Sequence, residues 1–220
     1  MNINFFSECQ QELMNKSMKK TTEELPLVEE FYSIQGEGYH TGKAAWFIRL
    51  GGCDIGCSWC DSRFTWDPAL HPSIKTDIIV ENAVNSGTDS VVVTGGEPLM
   101  WDLDYLCKGL KRNKIRTFIE TSGAYPLSGT WDWICLSPKK NMPPLNSNCQ
   151  VADELKVIIE NEDDFKWAEI YQALVARKCI LYLQPEWSRF EKIIPSVVNY
   201  VKEHSVWRIS LQIHKYMHIP

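Results

Sequence analysis

The chain has 220 residues, with 23 Lys and Arg against 28 Asp and Glu and a net charge of −5. That balance excludes an electrostatic coat for polyphosphate partners, so nucleic acid is not the expected ligand. With 44% hydrophobic and 23% charged residues the composition is that of a folded globular protein. No apolar run approaches the length of a membrane helix, and Met1 to Lys20 lacks the apolar core of a secretory signal, so a cytoplasmic location is expected.

Residues 1–25 are polar apart from one modest helical pattern between Phe5 and Met18, and read as an N-terminal extension to one domain, residues 26–220. From Pro26 onward, short β-branched and aromatic runs predict strands at Leu27 to Ile34, Ala45 to Leu50, Asp89 to Thr94, Ile115 to Glu120, Trp133 to Ser137, Glu154 to Ile159, Ile180 to Gln184 and Trp207 to Gln212. Apolar residues three and four apart predict helices at Thr76 to Ser86, Asp102 to Arg112, Asp163 to Ala176 and Arg189 to His204. Thr76 with Asp77, and Asp163 or its neighbours, supply helix starts. Lys139 to Gln150, with Pro143 and Pro144, is expected to be a surface loop or a lid. The alternation implies an α/β fold with a mainly parallel sheet, wound on both faces or curled into a full or partial barrel; periodicity does not choose. The strands end in Thr94, Glu120, Ser137, Gln184 and Gln212, polar groups that would converge on the carboxyl-end rim where α/β folds bind ligands.

Eight cysteines are too few for a disulfide scaffold of this length, and Cys9, Cys107, Cys135, Cys149 and Cys179 are scattered. They are expected to be reduced, and mostly buried or incidental. Cys53, Cys57 and Cys60 instead stand at positions i, i+4 and i+7, in a loop with Gly51, Gly52 and Gly56. Three thiolates on a loop loosened by glycine suit an iron–sulfur cluster with one iron lacking a protein ligand. The alternative is a zinc knuckle completed by His71 or Cys107.

The CxxxCxxC spacing resembles that of the radical S-adenosylmethionine enzymes, and Thr94-Gly95-Gly96-Glu97-Pro98 looks like their GGEP segment. The resemblance implies a partial, open TIM-like barrel of mainly parallel strands with helices outside. It also implies a [4Fe-4S] cluster held by Cys53, Cys57 and Cys60, with S-adenosylmethionine on the open iron and its amino group near Gly96 and Glu97.

Within that superfamily, Phe31-Tyr32-Ser33-Ile34-Gln35-Gly36-Glu37-Gly38, Thr41-Gly42, Phe47-Ile48-Arg49-Leu50, Trp59-Cys60-Asp61-Ser62, Ser137-Pro138-Lys139, Leu183-Gln184-Pro185 and the tail Gln212 to Pro220 are similar to the 7-carboxy-7-deazaguanine synthase family. The resemblance implies a lyase of queuosine and 7-deazapurine biosynthesis, contracting 6-carboxy-5,6,7,8-tetrahydropterin to 7-carboxy-7-deazaguanine with release of ammonia. In that family an adenosyl radical abstracts hydrogen from C6, and the cofactor supplies the hard chemistry. Carried over, Trp59, Asp61, Gly96, Glu97, Ser137, Pro138, Lys139, Gln184, Pro185, Glu186 and Trp187 bind the cofactor. Ile34, Gln35, Gly36, Glu37, Arg49, Thr94, His214 and Pro220 bind substrate, the last through its carboxylate. Ser62 binds Mg²⁺ through its hydroxyl. Arg49 fits independently, since a guanidinium grips a carboxylate in bidentate fashion. The same resemblance implies a homodimer and an electron donor such as flavodoxin or ferredoxin, with no membrane partner and no direct nucleic-acid contact.

Three rivals share some of these features. An activase that installs a glycyl radical on a partner shares the cysteine loop and GGEP but needs neither Arg49 nor the Gln35–Gly38 segment. A zinc-stabilised binding module and an electron-transfer protein account for the thiols alone.

Overall fold

The computed structural model describes residues 23–220, so the helical pattern between Phe5 and Met18, and Cys9, lie outside the described residues. β1 (Glu24–Ile34) and β2 (Ala44–Leu50) form an antiparallel pair, from Leu27 opposite Leu50 to Ile34 opposite Ala44. A short strand, β3 (Ser73–Lys75), joins the outer edge of β1 through Glu24 to Pro26. The sequence did not announce it: three residues carry no period, and the strand exists through its pairing. Leu25, assigned to the extension from sequence, lies in β1 and is fully buried in the core, so the folded unit starts earlier than residue 26.

From β2 onward every pairing is parallel. β4 (Ser90–Gly95), β5 (Arg116–Thr121), β6 (Trp133–Leu136), β7 (Glu154–Ile159), β8 (Ile180–Pro185) and β9 (Trp207–Ile209) complete a nine-stranded sheet of order β3-β1-β2-β4-β5-β6-β7-β8-β9. The sheet is open: β3 and β9 stand at its two edges and do not pair with each other. Between the strands run α1 (Thr76–Asn85), α2 (Asp104–Arg112), α3 (Asn146–Val151), α4 (Asp163–Leu174) and α5 (Phe190–Glu203), with α6 (Ile213–Met217) near the end of the chain. The crossover from β5 to β6, residues 122–132, carries no helix.

Alternation along the strands sorts the side chains. Ile48, Leu50, Val91, Val93 and Ile119 point outward, packing with Ile79, Ala83, Leu106 and Leu110 in one core. Leu155, Val157, Leu181 and Leu183 pack with Phe165, Ala168, Ile193 and Val197 in a second. Each such burial contributes about 2 kcal/mol, as an upper bound. The residues between them, including Arg49, Thr94, Glu120, Lys156 and Gln184, face inward.

The gap at the open edge is bridged by the turn between β1 and β2. Gly38 N donates to Ser210 Oγ (2.9 Å), Tyr39 N to Glu154 Oε2 (3.1 Å) and Ile213 N to Gly36 O (2.9 Å). These bonds join the front of the chain to its last strands.

The segment 139–150 is more than a surface loop. Its end forms α3, and the buried Asn148 donates to Gly123 O and Tyr125 O, both at 2.7 Å. At the start of α4 it is Asp164, not Asp163, that gathers backbone donors, accepting from Glu160 N (2.7 Å) and Asn161 N (3.0 Å). The last strand stops at Ile209, before the expected Gln212, because the chain turns there into α6.

Gly95, at the end of β4, has φ +136°, and a Cβ there would lie 2.1 Å from Leu50 O. Gly87 also has positive φ (+72°) but has open space around it. Urea denaturation is therefore expected to show Gly87→Ala costing about 1 kcal/mol, the backbone term alone, and Gly95→Ala costing distinctly more.

Candidate active site

The inward faces enclose a cavity of about 770 Å³ at the carboxyl ends of the parallel strands. All five residues expected from sequence to end strands, Thr94, Glu120, Ser137, Gln184 and Gln212, line it, Ser137 and Gln212 from just beyond β6 and β9. So does every residue assigned to the cluster, cofactor, substrate or Mg²⁺ from the resemblance except Pro138. Pro138, in the segment just after β6, is buried and lies outside the lining, while Ser137 and Lys139 on either side of it are part of it.

Cys53, Cys57 and Cys60 are free, half-buried and all in the lining. Gly52 (φ +107°) and Gly56 (φ +70°) supply the conformations that wrap their loop. Side chains from elsewhere brace it: Asn141 Nδ2 donates to Ile55 O (3.1 Å) and Gly56 O (2.9 Å), Tyr125 OH to Asp54, and Arg63 to Ser58 O. Among the described residues no three His, Cys, Asp or Glu side chains converge closely enough for a single metal ion. Both proposed zinc ligands lie outside the lining. His71 Nε2 contacts Phe64 O at 2.8 Å, and Cys107 is buried on α2. Three thiols on a common cavity without a fourth ligand fit a cluster wider than one ion. Burial pushes Cys53 up to about 11 and raises Cys57, so cluster loading must displace protons. The other described cysteines, Cys107, Cys135, Cys149 and Cys179, are buried and free.

Gly96 has no room for a side chain: a Cβ would lie 2.2 Å from Gly52 O. The close approach locks the glycine turn against the cysteine loop. Glu97, 1% exposed, accepts from Leu99 N (2.9 Å), Thr121 Oγ1 (2.5 Å), Ser122 N (2.7 Å) and Ser122 Oγ (2.5 Å). Four donors match the acceptor capacity of a carboxylate, so Glu97 here knots the turn to β5 while lining the cavity. Lys139 Nζ donates to Ser137 Oγ (2.6 Å) and stands 5.4 Å from the Trp59 ring centroid. Burial lowers its pKa, the neighbouring Cys57 opposing. Gln184 Oε1 accepts from Ser210 Oγ (2.8 Å), and Glu186 caps the short turn at Ser188 beside Trp187. Lys215 reaches over Trp187 (5.0 Å) to Asp61 Oδ2 (2.7 Å), tying α6 to the cysteine loop. Ser62 Oγ donates to Asp61 Oδ1 at 3.1 Å.

A polar wall completes the lining. Arg49 Nε donates to Glu29 Oε1 (2.6 Å) and its guanidinium lies 5.8 Å from the Phe31 ring centroid, which fixes its direction. Lys156, buried, pairs with Glu37 Oε2 (2.6 Å) and Glu120 Oε2 (2.9 Å). Gln35 Nε2 donates to Glu120 Oε1 (3.2 Å) and Gln212 Nε2 to Glu37 Oε1 (2.8 Å). Burial pushes Glu37 up, but Lys156 and the Gln212 amide outweigh it and hold its carboxyl at about 2. Burial would depress Lys156; Cys135, Glu120, Glu37 and Glu154 together lift it well above the usual lysine range. His214 packs on Gly36, where a Cβ would lie 2.2 Å from its Nδ1, so it belongs to the wall and not to the outer surface. Burial lowers its pKa while Glu37 opposes. Ser33 Oγ donates to an oxygen of Pro220 at 3.1 Å, bringing that residue into the same wall. Lys156 went unnoticed in sequence. A lysine alternating with Leu155 and Val157 in a parallel strand was the signal.

Lys156→Met leaves two carboxylates facing each other. It is expected to cost on the order of 3 kcal/mol at pH 7. Because Glu37 is depressed in the folded state, its stabilising ionisation is present above the unfolded carboxyl range and lost as pH falls toward 2. The gap between wild type and variant in denaturant melts should therefore narrow below about pH 4.5.

The Radical SAM superfamily profile matches residues 47–168. The 7-carboxy-7-deazaguanine synthase of Flavobacterium psychrophilum is 57% identical over 198 residues, covering 90% of this chain and 94% of that one. The enzyme of the same name from Synechocystis is 48% identical, covering 87% and 92%. The crystal structure of QueE from Escherichia coli superposes with a TM-score of 0.77 at 29% identity, covering 86% of this chain and 94% of that one. The chain thus belongs to the 7-carboxy-7-deazaguanine synthase family of the radical S-adenosylmethionine superfamily.

Proposed function

We propose that this chain converts 6-carboxy-5,6,7,8-tetrahydropterin to 7-carboxy-7-deazaguanine and ammonia. The observation that carries the reading is one cavity lined both by the three thiols and the glycine turn and by Arg49, Gln35, Glu37 and Thr94. The names of the relatives agree with it.

Cys53, Cys57 and Cys60 would hold a four-iron cluster, with Trp59, Asp61, Gly96, Glu97, Ser137, Lys139 and the Gln184 to Trp187 stretch around S-adenosylmethionine. When bound, that pair supplies one-electron cleavage and hydrogen-abstraction chemistry. The protein's own residues supply the aim. Arg49, already steered by Glu29 and Phe31, presents its fork to the pterin carboxylate. Glu37 is kept ionised by Lys156 and so offers acceptors to the N–H groups of the ring system at any pH above about 2. Thr94 and the Ile34–Gln35–Gly36 backbone complete the substrate wall with His214 and Pro220. Lys215, paired with Asp61, ties the short helix before Pro220 to the cysteine loop.

We place Mg²⁺ at the Ser62 hydroxyl, where hard oxygens of substrate would complete its shell. Among the described residues no helix is long and apolar enough to cross a membrane. We assign the enzyme to the cytoplasm as a homodimer acting within 7-deazapurine biosynthesis, with flavodoxin or ferredoxin as reductant.

The test is an anaerobic assay of iron-loaded protein with S-adenosylmethionine, dithionite, Mg²⁺ and the pterin, read by mass spectrometry. Carboxydeazaguanine and ammonia are expected in equal amounts. 5′-Deoxyadenosine without carboxydeazaguanine would reject the pterin as substrate, and would favour the activase reading. Arg49→Ala, or removal of Pro220, is expected to lower pterin turnover by at least about 100-fold with iron and sulfide content unchanged.

A further inference from the structure

Glu154 is 2% exposed and lies outside the cavity lining, and beyond its bond to Tyr39 N at the open edge it has no place in the site described so far. It opens β7 on the inward face, below Lys156 and at the floor of the barrel. Its Oε2 accepts from Tyr39 N (3.1 Å) and from Trp133 Nε1 (3.0 Å). Its Oε1 is buried without a hydrogen-bond partner and lies against Gly38, where a Cβ would come within 1.9 Å of it. A carboxyl that gives one oxygen to two donors and buries the other bare is an expensive arrangement. The site it serves is the turn at Gly38 and Tyr39, the residues directly after Glu37.

We propose that Glu154 is a positioning residue for substrate binding: from the barrel floor it holds the Gly38–Tyr39 turn and thereby sets where Glu37 presents its carboxylate to the cavity. The proposal rests on the pterin reading above, because Glu37 is the group whose placement it explains. Three observations carry it. Gly38 has φ +64° and no room for a side chain, so the turn closes on Glu154 in one register only. The Trp133 indole, stacked on Tyr39 at 4.6 Å, donates to the same oxygen and so holds the carboxyl and the turn together. The nearby cation is already committed elsewhere, since Lys156 pairs with Glu37 and Glu120.

That last point sets the chemistry of the hold. The groups around Glu154 are Glu120 from β5, Cys135 and Trp133 from β6, Lys156 on its own strand, Cys179 before β8, and Tyr39 and His40 of the turn. Glu37, Glu120 and Lys156 already sum to one negative charge, and a second on Glu154 would stand unpaired. Burial, with Glu120 adding to it and Lys156 opposing, pushes its carboxyl above the usual range. The two donors need only an acceptor oxygen. An amide offers the same oxygen without the charge, so glutamine is the faithful replacement.

The experiment uses the full, iron-loaded chain and 6-carboxy-5,6,7,8-tetrahydropterin as probe, with Glu154→Leu, Glu154→Asp and Glu154→Gln. Glu154→Leu is expected to raise the pterin KM about tenfold or more, while iron content and 5′-deoxyadenosine formation without pterin stay at wild-type levels. Glu154→Gln should restore KM to within about twofold of wild type. Glu154→Asp, which withdraws the oxygen by one methylene, should fall between them. Amide exchange across residues 36–43 should quicken in the leucine variant and not in the glutamine variant. Wild-type KM in Glu154→Leu, or a glutamine variant as impaired as the leucine one, overturns the assignment. If Glu154→Leu does not fold, a folded Glu154→Asp with wild-type KM overturns it equally. Should wild-type protein fail to turn over the pterin, the functional reading fails by itself. The exchange comparison then decides alone, equal protection in all variants counting against the hold.

Discussion

The sheet does not close, and much of the site follows from that. A closed barrel satisfies its edges by pairing; here β9 is left beside a gap, and polypeptide that belongs to no strand must fill it. The turn between β1 and β2 and the residues after β9 do so, meeting through Ile213 N to Gly36 O and Gly38 N to Ser210 Oγ. Irregular backbone can present main-chain donors and acceptors that a ladder would consume. Gln35, Glu37, Gln212, His214 and Pro220 are all delivered by these fillers, so the open edge is where the substrate wall was built.

Inside, the two sides of the cavity use opposite electrostatic arrangements. On the floor, Lys156 pairs with both Glu37 and Glu120 in a buried setting, which requires every partner to be in place. At the rim, burial favours neutral thiols at Cys53 and Cys57, and the proteins' own cations do not reverse it. The floor is preset before any ligand arrives. The rim reaches its working charge only when a cluster displaces its protons.

The parts legible in sequence were those with a period or a motif. Short β-branched and aromatic runs located β4, β7 and β8 to within a residue or two, and the polar residues Thr94, Glu120, Ser137 and Gln184 converge on the cavity. The parts that were not legible depend on contacts made at a distance. β3 is three residues whose partner lies about fifty positions earlier, and α6 is one turn held by Gly36 and Asp61. Lys156 and Glu154 were hidden for a related reason: a charge inside a strand reads as an interruption until the opposing wall shows what it faces. Pro138 came with a motif transferred whole, of which Ser137 and Lys139 line the cavity and the proline between them does not.

The missing helix between β5 and β6 has a consequence for how the molecule holds together. Without it the outer layer is two cores, and β6 straddles their boundary, sending Ile134 into one and Leu136 into the other. The cavity draws its lining from strands that feed both cores, Arg49 on β2 and Thr94 on β4 from one, Lys156 on β7 and Gln184 on β8 from the other. A ligand seated there touches residues that rest on both cores, which the continuous sheet already joins through β5, β6 and β7. Its binding energy adds to that joint, favouring the state in which both are folded.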